Sequence, residues 1–237
     1  MNRKIFAVII AACFVSIAMT ACGSKEQIET GSGMTTPGMV TGGWEINNDD
    51  TIGWATDEAK AAFNKAMEGF TGAEYTIISQ IGRQLVAGMN YMFVCKERTV
   101  TEEPVNKLSV VTIYEDLEGT AKVTNVVDLD LGELYGKENP AKGKDSAPMA
   151  GGWLIPDSYQ AVNLPVPVST VFDKVLGEEA KYVPMAFLGS QVVNGTNYAV
   201  LCFDESEPYI VYLYAPLEGA PELVSVYRLY MGELSGN

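Results

Sequence analysis

The sequence predicts an α+β fold that is built from two copies of one helix followed by about four antiparallel strands. Three observations support this prediction. Four short motifs recur in the same order about 100 residues apart. Each copy has one stretch of helical apolar spacing, and the rest of each copy is rich in β-branched and aromatic residues separated by turn residues.

The recurring motifs define the two copies. "GGW" begins at residues 42 and 151, a Gln-x-Val-x-Gly pattern at 84 and 191, "LEG" at 117 and 217, and "GEL" at 132 and 232. A period near 100 is the size of an ordinary domain and is too long for a solenoid unit. We therefore expect a signal peptide at 1–21, a flexible tether at 22–41, a first domain at 42–137, a linker at 138–150 and a second domain at 151–237.

The first residues predict export and lipid attachment. Arg3 and Lys4 precede an apolar run from Ile5 to Met19, which is too short and wrongly flanked to remain as a membrane-spanning helix. Cys22 follows small residues, as in a bacterial lipobox, and begins a polar stretch typical of a tether. We expect a lipid on Cys22 that holds the exported chain in the bacterial cell envelope, facing the periplasm or the cell surface. The alternative is an ordinary signal peptide with a chance cysteine.

Charge and composition exclude several classes of function. The chain has 16 Lys and Arg, 30 Asp and Glu and no histidine, and loss of residues 1–21 leaves 14 basic residues, a net charge of −16. Such a surface repels phosphate backbones, so nucleic acid is not an expected partner. Histidine is the commonest general base and metal ligand, and no nucleophile–base pair is visible. We therefore expect no enzyme activity, no cofactor and no metal.

Two cysteines occupy equivalent positions in the two copies. Cys95 and Cys202 lie within predicted strands, where each is expected to be a small buried hydrophobe. A disulfide between them is the alternative, because exported proteins permit one.

Each copy contains one predicted helix. In the first copy Thr56 is a natural N-cap, residues 57–58 are acidic and Gly69 marks the end. The second helix begins near Pro167 and ends near Gly177. The apolar positions with helical spacing are Ala59, Ala62, Phe63, Ala66, Met67 and Phe70 in the first copy, and Val168, Val171, Phe172, Val175 and Leu176 in the second.

The remaining segments are predicted strands. They are 74–86, 89–96, 108–115 and 123–131 in the first copy, and 181–193, 196–203, 208–215 and 222–230 in the second. Asn194-Gly195 is the strongest hairpin signal, because both residues accept a positive φ. One helix can cover only one face of such a sheet.

The order of these features resembles the cystatin family, particularly the stefin type that lacks disulfides. A Gly-Gly pair precedes the helix, a Gln-x-Val-x-Gly hairpin follows the first long strand, and a Leu-x-Gly turn lies between the last two strands. Both copies match, over residues 42–136 and 151–236. The resemblance implies two cystatin-like domains, each an antiparallel sheet wrapped on one helix. It also implies tight, reversible inhibition of papain-like cysteine proteases, whose cleft the three segments enter.

The protease-contact residues that the resemblance implies can be carried over one by one. They are Gly42, Gly43, Gln84, Leu85, Val86, Ala87, Gly88, Leu117 and Gly119 in the first copy, and Gly151, Gly152, Gln191, Val192, Val193, Asn194, Gly195, Leu217 and Gly219 in the second. Apolar side chains at hairpin tips usually mark an interface, and a rigid turn loses little entropy on binding. We expect a monomer with two partners, a papain-like protease and the membrane that holds the lipid.

The sequence also departs from the stefin pattern. Glu118 and Glu218 stand where stefins typically have proline, and Asn194 replaces a small apolar residue. A charge or an amide at these positions makes the contact surface more polar. The alternative interpretation is therefore a non-inhibitory surface interaction module on a cystatin-like fold, which uses the same tips to hold a cell-wall or host partner. A purely structural role of the two hairpins also stays open.

Overall fold

The computed structural model describes residues 42–46, 53–136, 151–159, 164–177, 181–204 and 206–236. The predicted signal peptide, the lipid site at Cys22, the tether and the linker lie outside the described residues. All described residues belong to one compact unit. Within them, no helix has the length and apolar character needed to cross a membrane.

Repeat 1, residues 42–136, contains a five-stranded antiparallel sheet. Its strands are β1 (Trp44–Glu45), β2 (Ala73–Val86), β3 (Gly88–Thr99), β4 (Asn106–Glu115) and β5 (Ala121–Asp128), in that spatial order. Helix α1 (Asp57–Met67) precedes β2, and the short helix α2 (Leu131–Leu134) follows β5.

Repeat 2, residues 151–236, contains a four-stranded antiparallel sheet. Helix α3 (Val166–Leu176) precedes its strands β6 (Val183–Val193), β7 (Gly195–Phe203), β8 (Pro208–Pro216) and β9 (Glu222–Arg228), and the short helix α4 (Met231–Leu234) follows them. A single bridge between Leu154 and Ser190 takes the place that β1 has in repeat 1.

Both predicted long helices are confirmed, and each covers one face of its own sheet. The Thr56 side chain accepts a hydrogen bond from Ala59 N and so caps α1. Phe63 of α1 meets Phe93 of β3 edge to face, with ring centroids 5.3 Å apart. In repeat 2, Phe172 of α3 packs in the same cluster as alternate residues of β7 and β8. These contacts form the two outer cores of the molecule.

The largest core lies between the two sheets. Alternate residues of β3 face opposite sides, so Phe93 points toward α1 whereas Met92 and Val94 point away from it. In β7, Leu201 and Phe203 likewise point away from α3. The residues that point away from the helices form one cluster that draws on both sheets. The layers are therefore helix, sheet, sheet and helix.

The structure corrects the predicted fold class. Two cystatin-like α+β domains, each a sheet of about four strands wrapped on one helix, were expected, and this prediction is wrong. The described chain is 48% strand and 18% helix, with one curled five-stranded sheet, one four-stranded sheet and only four short helices. The physical reason is that an 11-residue helix leaves the other face of its sheet uncovered. The two sheets cover those faces for each other.

The ends of the last predicted strands are also corrected. The strands expected at 123–131 and 222–230 stop at Asp128 and Arg228, and the "GEL" motifs form α2 and α4 instead. Asp130 caps α2 by accepting hydrogen bonds from the backbone N–H groups of Gly132 and Glu133. The remaining predicted strands are confirmed to within a few residues of their bounds.

Candidate functional site

Three of the predicted segments meet at one end of the sheet in repeat 1. Gly42 N donates to Leu85 O at 3.0 Å, so the Gly-Gly segment lies beside the β2–β3 hairpin. Met89 of β3 faces Glu115 of β4, which places the β4–β5 turn next to the hairpin on the other side. We name this group the first loop row, and it consists of Gly42–Gly43, the hairpin 84–88 and the turn 117–119.

Repeat 2 has the equivalent arrangement. Gly195 of β7 faces Pro216 of β8, so the β8–β9 turn lies next to the β6–β7 hairpin. The second loop row consists of Gly151–Gly152, the hairpin 191–195 and the turn 217–219. We call the end of each sheet that carries its loop row the tip end, and the opposite end the base end.

The glutamine of each hairpin braces the loop row. Gln84 Nε2 donates to Gly42 O at 2.9 Å, and Gln84 Oε1 accepts from Asn90 Nδ2 at 2.8 Å. In repeat 2 Gln191 Nε2 donates to Gly151 O at 2.5 Å, and Asn197 Nδ2 donates to Gln191 Oε1 at 2.9 Å. The glutamine thus ties the Gly-Gly segment to the hairpin in both repeats.

The asparagines of this brace were not predicted as functional residues. Asn90 and Asn197 each follow their glutamine by six residues, which is the spacing of directly opposed residues in the hairpin. This repeated spacing is the signal in the sequence that identifies them. Tyr114 and Tyr214 were also missed, although their hydroxyl groups donate to the hairpin carbonyls of Ala87 and Asn194.

The hairpin glycines are required by the backbone. Gly88 and Gly195 have φ angles of 121° and 127°, which L-residues with a side chain rarely adopt. A Cβ atom at Gly88 would also overlap the carbonyl oxygen of Glu115, and one at Gly195 would overlap that of Ala215. The close approach of the hairpin to the neighbouring strand therefore depends on glycine.

The apolar side chains that remain exposed are the part of each loop row that can contact a partner. Val86 is 36% exposed and Leu117 is 81% exposed, and Ala87 between them in the row is also exposed. In the second loop row Val192 is 64% exposed and Leu217 is 78% exposed. The other predicted contact residues fall into three groups. Those that are exposed are Gly42, Gly151, Gly152, Asn194 and Gly219. Those that are half-buried are Gly43, Gln84, Leu85, Gly119 and Val193, and those that are buried are Gln191, Gly88 and Gly195.

The turn of the first loop row is held by charged groups. Asp116 Oδ1 accepts from Glu118 N at 3.1 Å and from Thr120 N at 2.7 Å. Lys65 of α1 donates to Gly119 O at 3.1 Å and lies 3.6 Å from a carboxylate oxygen of Glu115. The turn that presents Leu117 is therefore fixed from both sides.

The second turn is built differently. Pro216 stands at the position of Asp116, and Pro221 stands just beyond the turn. Glu218, like Glu118, is exposed. The two loop rows share their backbone arrangement and differ in charge, since the first contains Glu115, Asp116 and Glu118 whereas the second contains Glu218 alone in this stretch.

The two cysteines are free and fully buried. Cys95 packs in the cluster under α1 and Cys202 in the cluster under α3, so they do not form the disulfide that the sequence left open. Burial raises the pKa of both thiols, which keeps them protonated and unreactive. Among the described residues, no group of three or more Cys, Asp or Glu is arranged to hold a metal ion.

No protein-family model matches the chain, and no curated protein matches it. The resemblance to cystatins therefore rests on the motifs of the two loop rows and stays a prediction.

Proposed function

We propose that this chain is a lipid-anchored bacterial surface protein that inhibits papain-like cysteine proteases by reversible occlusion of the cleft. One observation carries the proposal. Each loop row groups three segments at the tip end of one sheet and presents exposed apolar side chains there. The proposal depends on this arrangement and on the motif resemblance, and it does not need the fold class that the structure overturned.

The loop rows have the physical properties that such an inhibitor needs. The hairpins are braced by Gln84 and Gln191 and by the tyrosine hydroxyl groups, so little conformational entropy is lost on binding. Val86 and Leu117 supply apolar surface that a protease cleft would remove from water. Occlusion forms no covalent bond, so the chain needs no reactive group and binding is reversible.

Charge adds a preference for the partner. The net charge of −16 on the mature chain would accelerate association with a basic surface around a cleft. A lipid on Cys22, followed by the tether 22–41, would hold the loop rows close to the envelope. The protease would then be met outside the membrane that carries the anchor.

A second candidate function is a surface interaction module that inhibits nothing. The observation that favours it is the brace, because the bonds of Gln84 and the backbone angle of Gly88 explain the Gln-x-Val-x-Gly motif as a structural hairpin. The exposed carboxylates of Glu118 and Glu218 also make the third segment more polar than an apolar wedge. A titration against a protease separates the inhibitor from the non-inhibitory module.

The test is a titration of the mature, lipid-free chain against papain and a cathepsin. The whole chain is used, because the two repeats share a core. Four substitutions, Val86→Asp, Leu117→Asp, Val192→Asp and Leu217→Asp, are combined in one variant. Since a central apolar contact is worth about 2 kcal/mol or more in an interface, we expect the variant to raise the inhibition constant by at least about 100-fold.

The matched control is the variant Val100→Asp and Val105→Asp. These valines are 64% and 55% exposed and lie at the base end of the sheet in repeat 1. The control should inhibit as the parent chain does. Absence of inhibition by the folded parent chain at micromolar concentration would favour the non-inhibitory module. Inhibition that survives all four substitutions would remove the loop rows from the mechanism.

A further inference from the structure

We propose that one chain holds two protease molecules at the same time, one on each loop row, and so bridges them. This inference rests on the proposed function and adds the number and placement of the partners. It is derived from the way in which the two sheets are stacked.

The base end of repeat 1 reaches the residues that support the second loop row. Helix α2 leaves the base end of its sheet, and the Leu131 carbonyl oxygen accepts a hydrogen bond from the Tyr212 hydroxyl at 3.1 Å. Four residues later along the chain, the Tyr135 hydroxyl donates to Asn197 Oδ1 at 2.9 Å. Asn197 is the residue that holds Gln191 in its brace. Repeat 1 therefore contacts the tip half of the sheet in repeat 2.

Repeat 2 likewise contacts repeat 1 through its own short helix. Helix α4 leaves the base end of repeat 2, and the Leu234 carbonyl oxygen accepts from Asn125 Nδ2 at 2.9 Å. Met231 lies directly against Gly82, where a Cβ atom would lie 2.4 Å from the methionine sulfur atom. Gly82 precedes the brace residue Gln84 by two positions. Each repeat therefore places its short helix against the sheet of the other repeat.

These contacts of α2 with repeat 2 and of α4 with repeat 1 determine the directions in which the loop rows point. Leu129 N donates to Leu108 O at 2.8 Å, so Leu129 still lies at the base end of repeat 1. Leu131 comes two residues later, and two residues of chain span at most about 7 Å. Strand β8 begins at the base end with Pro208, and Tyr212 lies four residues further along the strand. Four residues of strand correspond to about 13 Å. The base end of repeat 1 therefore lies over the middle of the sheet in repeat 2. From this and from the contact of α4 with repeat 1, we infer that the two tip ends lie on different sides of the molecule.

Two partners consequently have separate places to bind. No residue belongs to both loop rows, and a partner seated on one row approaches from a different side than a partner seated on the other. A standard interface covers about 800 Å² on each protein, which one end of a sheet and its loops can supply. The rows are not equivalent in charge. Binding at the first row, with Glu115, Asp116 and Glu118, should weaken more when salt is added.

The experiment uses the mature, lipid-free chain and an excess of papain whose active-site thiol has been carboxymethylated, so that the chain is not cleaved. The masses of the complexes are measured by sedimentation velocity and by native mass spectrometry. We expect complexes with two papain molecules per chain. Val86→Asp with Leu117→Asp should leave one papain bound, and Val192→Asp with Leu217→Asp should also leave one. Val100→Asp with Val105→Asp is the control and should leave two.

The outcomes separate this inference from the proposed function. If the parent chain saturates with one papain, while each row variant still binds one, the two rows overlap and the bridge is disproved although inhibition stands. If the chain binds no papain at any concentration, the proposed function fails and this inference fails with it. Circular dichroism of each variant confirms that it is folded before the masses are compared.

Discussion

At the scale of single residues, burial distinguishes the two glutamine braces. Gln191 is 4% exposed and its partner Asn197 is fully buried, whereas Gln84 and Asn90 are half-buried. The hydrogen bonds are the same in both repeats. A polar group that loses its partner away from water cannot bond to water instead, so the buried brace should contribute more to stability.

We predict that Gln191→Ala lowers the free energy of unfolding by about 1–3 kcal/mol, because it leaves the Asn197 amide and the Gly151 carbonyl without their partner. Gln84→Ala should cost less, since water can reach the groups that it leaves. Urea unfolding followed by circular dichroism measures both. The double variant Gln191→Ala with Asn197→Ala should cost less than the two single losses added together. Equal losses at Gln191 and Gln84 would contradict this explanation.

The hairpin itself was predictable from single residues, and its brace was not. Gly88 and Gly195 indicate a turn, because glycine is the residue that tolerates a positive φ. A glutamine carries no comparable local signal. The carbonyl groups of Gly42 and Gly151, to which the glutamines donate, lie about 40 residues away in the chain, so only the folded sheet brings these groups together. The asparagine partners lie only six residues away, and their repeated spacing is the one local signal of the brace.

At the scale of elements, the "GEL" segments show how tertiary contacts decide local structure. They follow the strands that were expected at 123–131 and 222–230, no helix was predicted for either, and both are one-turn helices. Helices this short are not stable alone in water. The Asp130 cap and the contact with the other repeat stabilise α2, and neither the contact nor its partner is visible in the local sequence pattern.

We predict that Leu131→Ala lowers the free energy of unfolding by about 2–5 kcal/mol, because this side chain is 2% exposed and packs against Gly189 of the other repeat. The matched control is Leu117→Ala, which removes the same atoms from an exposed site and should change stability by no more than about 0.5 kcal/mol. Thermal and urea unfolding give both values. A loss at Leu131 as small as that at Leu117 would mean that α2 does not dock as described.

At the scale of the whole molecule, the shared core joins the repeats. The largest cluster includes Met92 and Val94 of repeat 1 together with Leu201 and Phe203 of repeat 2, all fully buried. Separating the repeats would expose this apolar surface to water. Each repeat should therefore depend on the other for much of its stability.

We predict that the chain unfolds in one cooperative transition. Leu201→Ala, a change in repeat 2 alone, should shift that transition to lower urea concentration for the whole molecule. Circular dichroism, which reports on both sheets, and tryptophan fluorescence should give the same midpoint. Two resolved transitions, of which Leu201→Ala moves only one, would show that the repeats fold independently.

The sequence by itself determined the two repeats, the positions of the long helices, most strands and the segments that form the loop rows. These follow from the spacing of apolar residues and from glycine, which act over a few residues. Only the tertiary structure decided the fold class, the docking of α2 and α4, and the directions in which Leu117 and Leu217 are presented. Apolar periodicity shows which side of an element is buried, but not which distant element covers it. Contacts between residues about 60 to 110 positions apart in the chain determine these features.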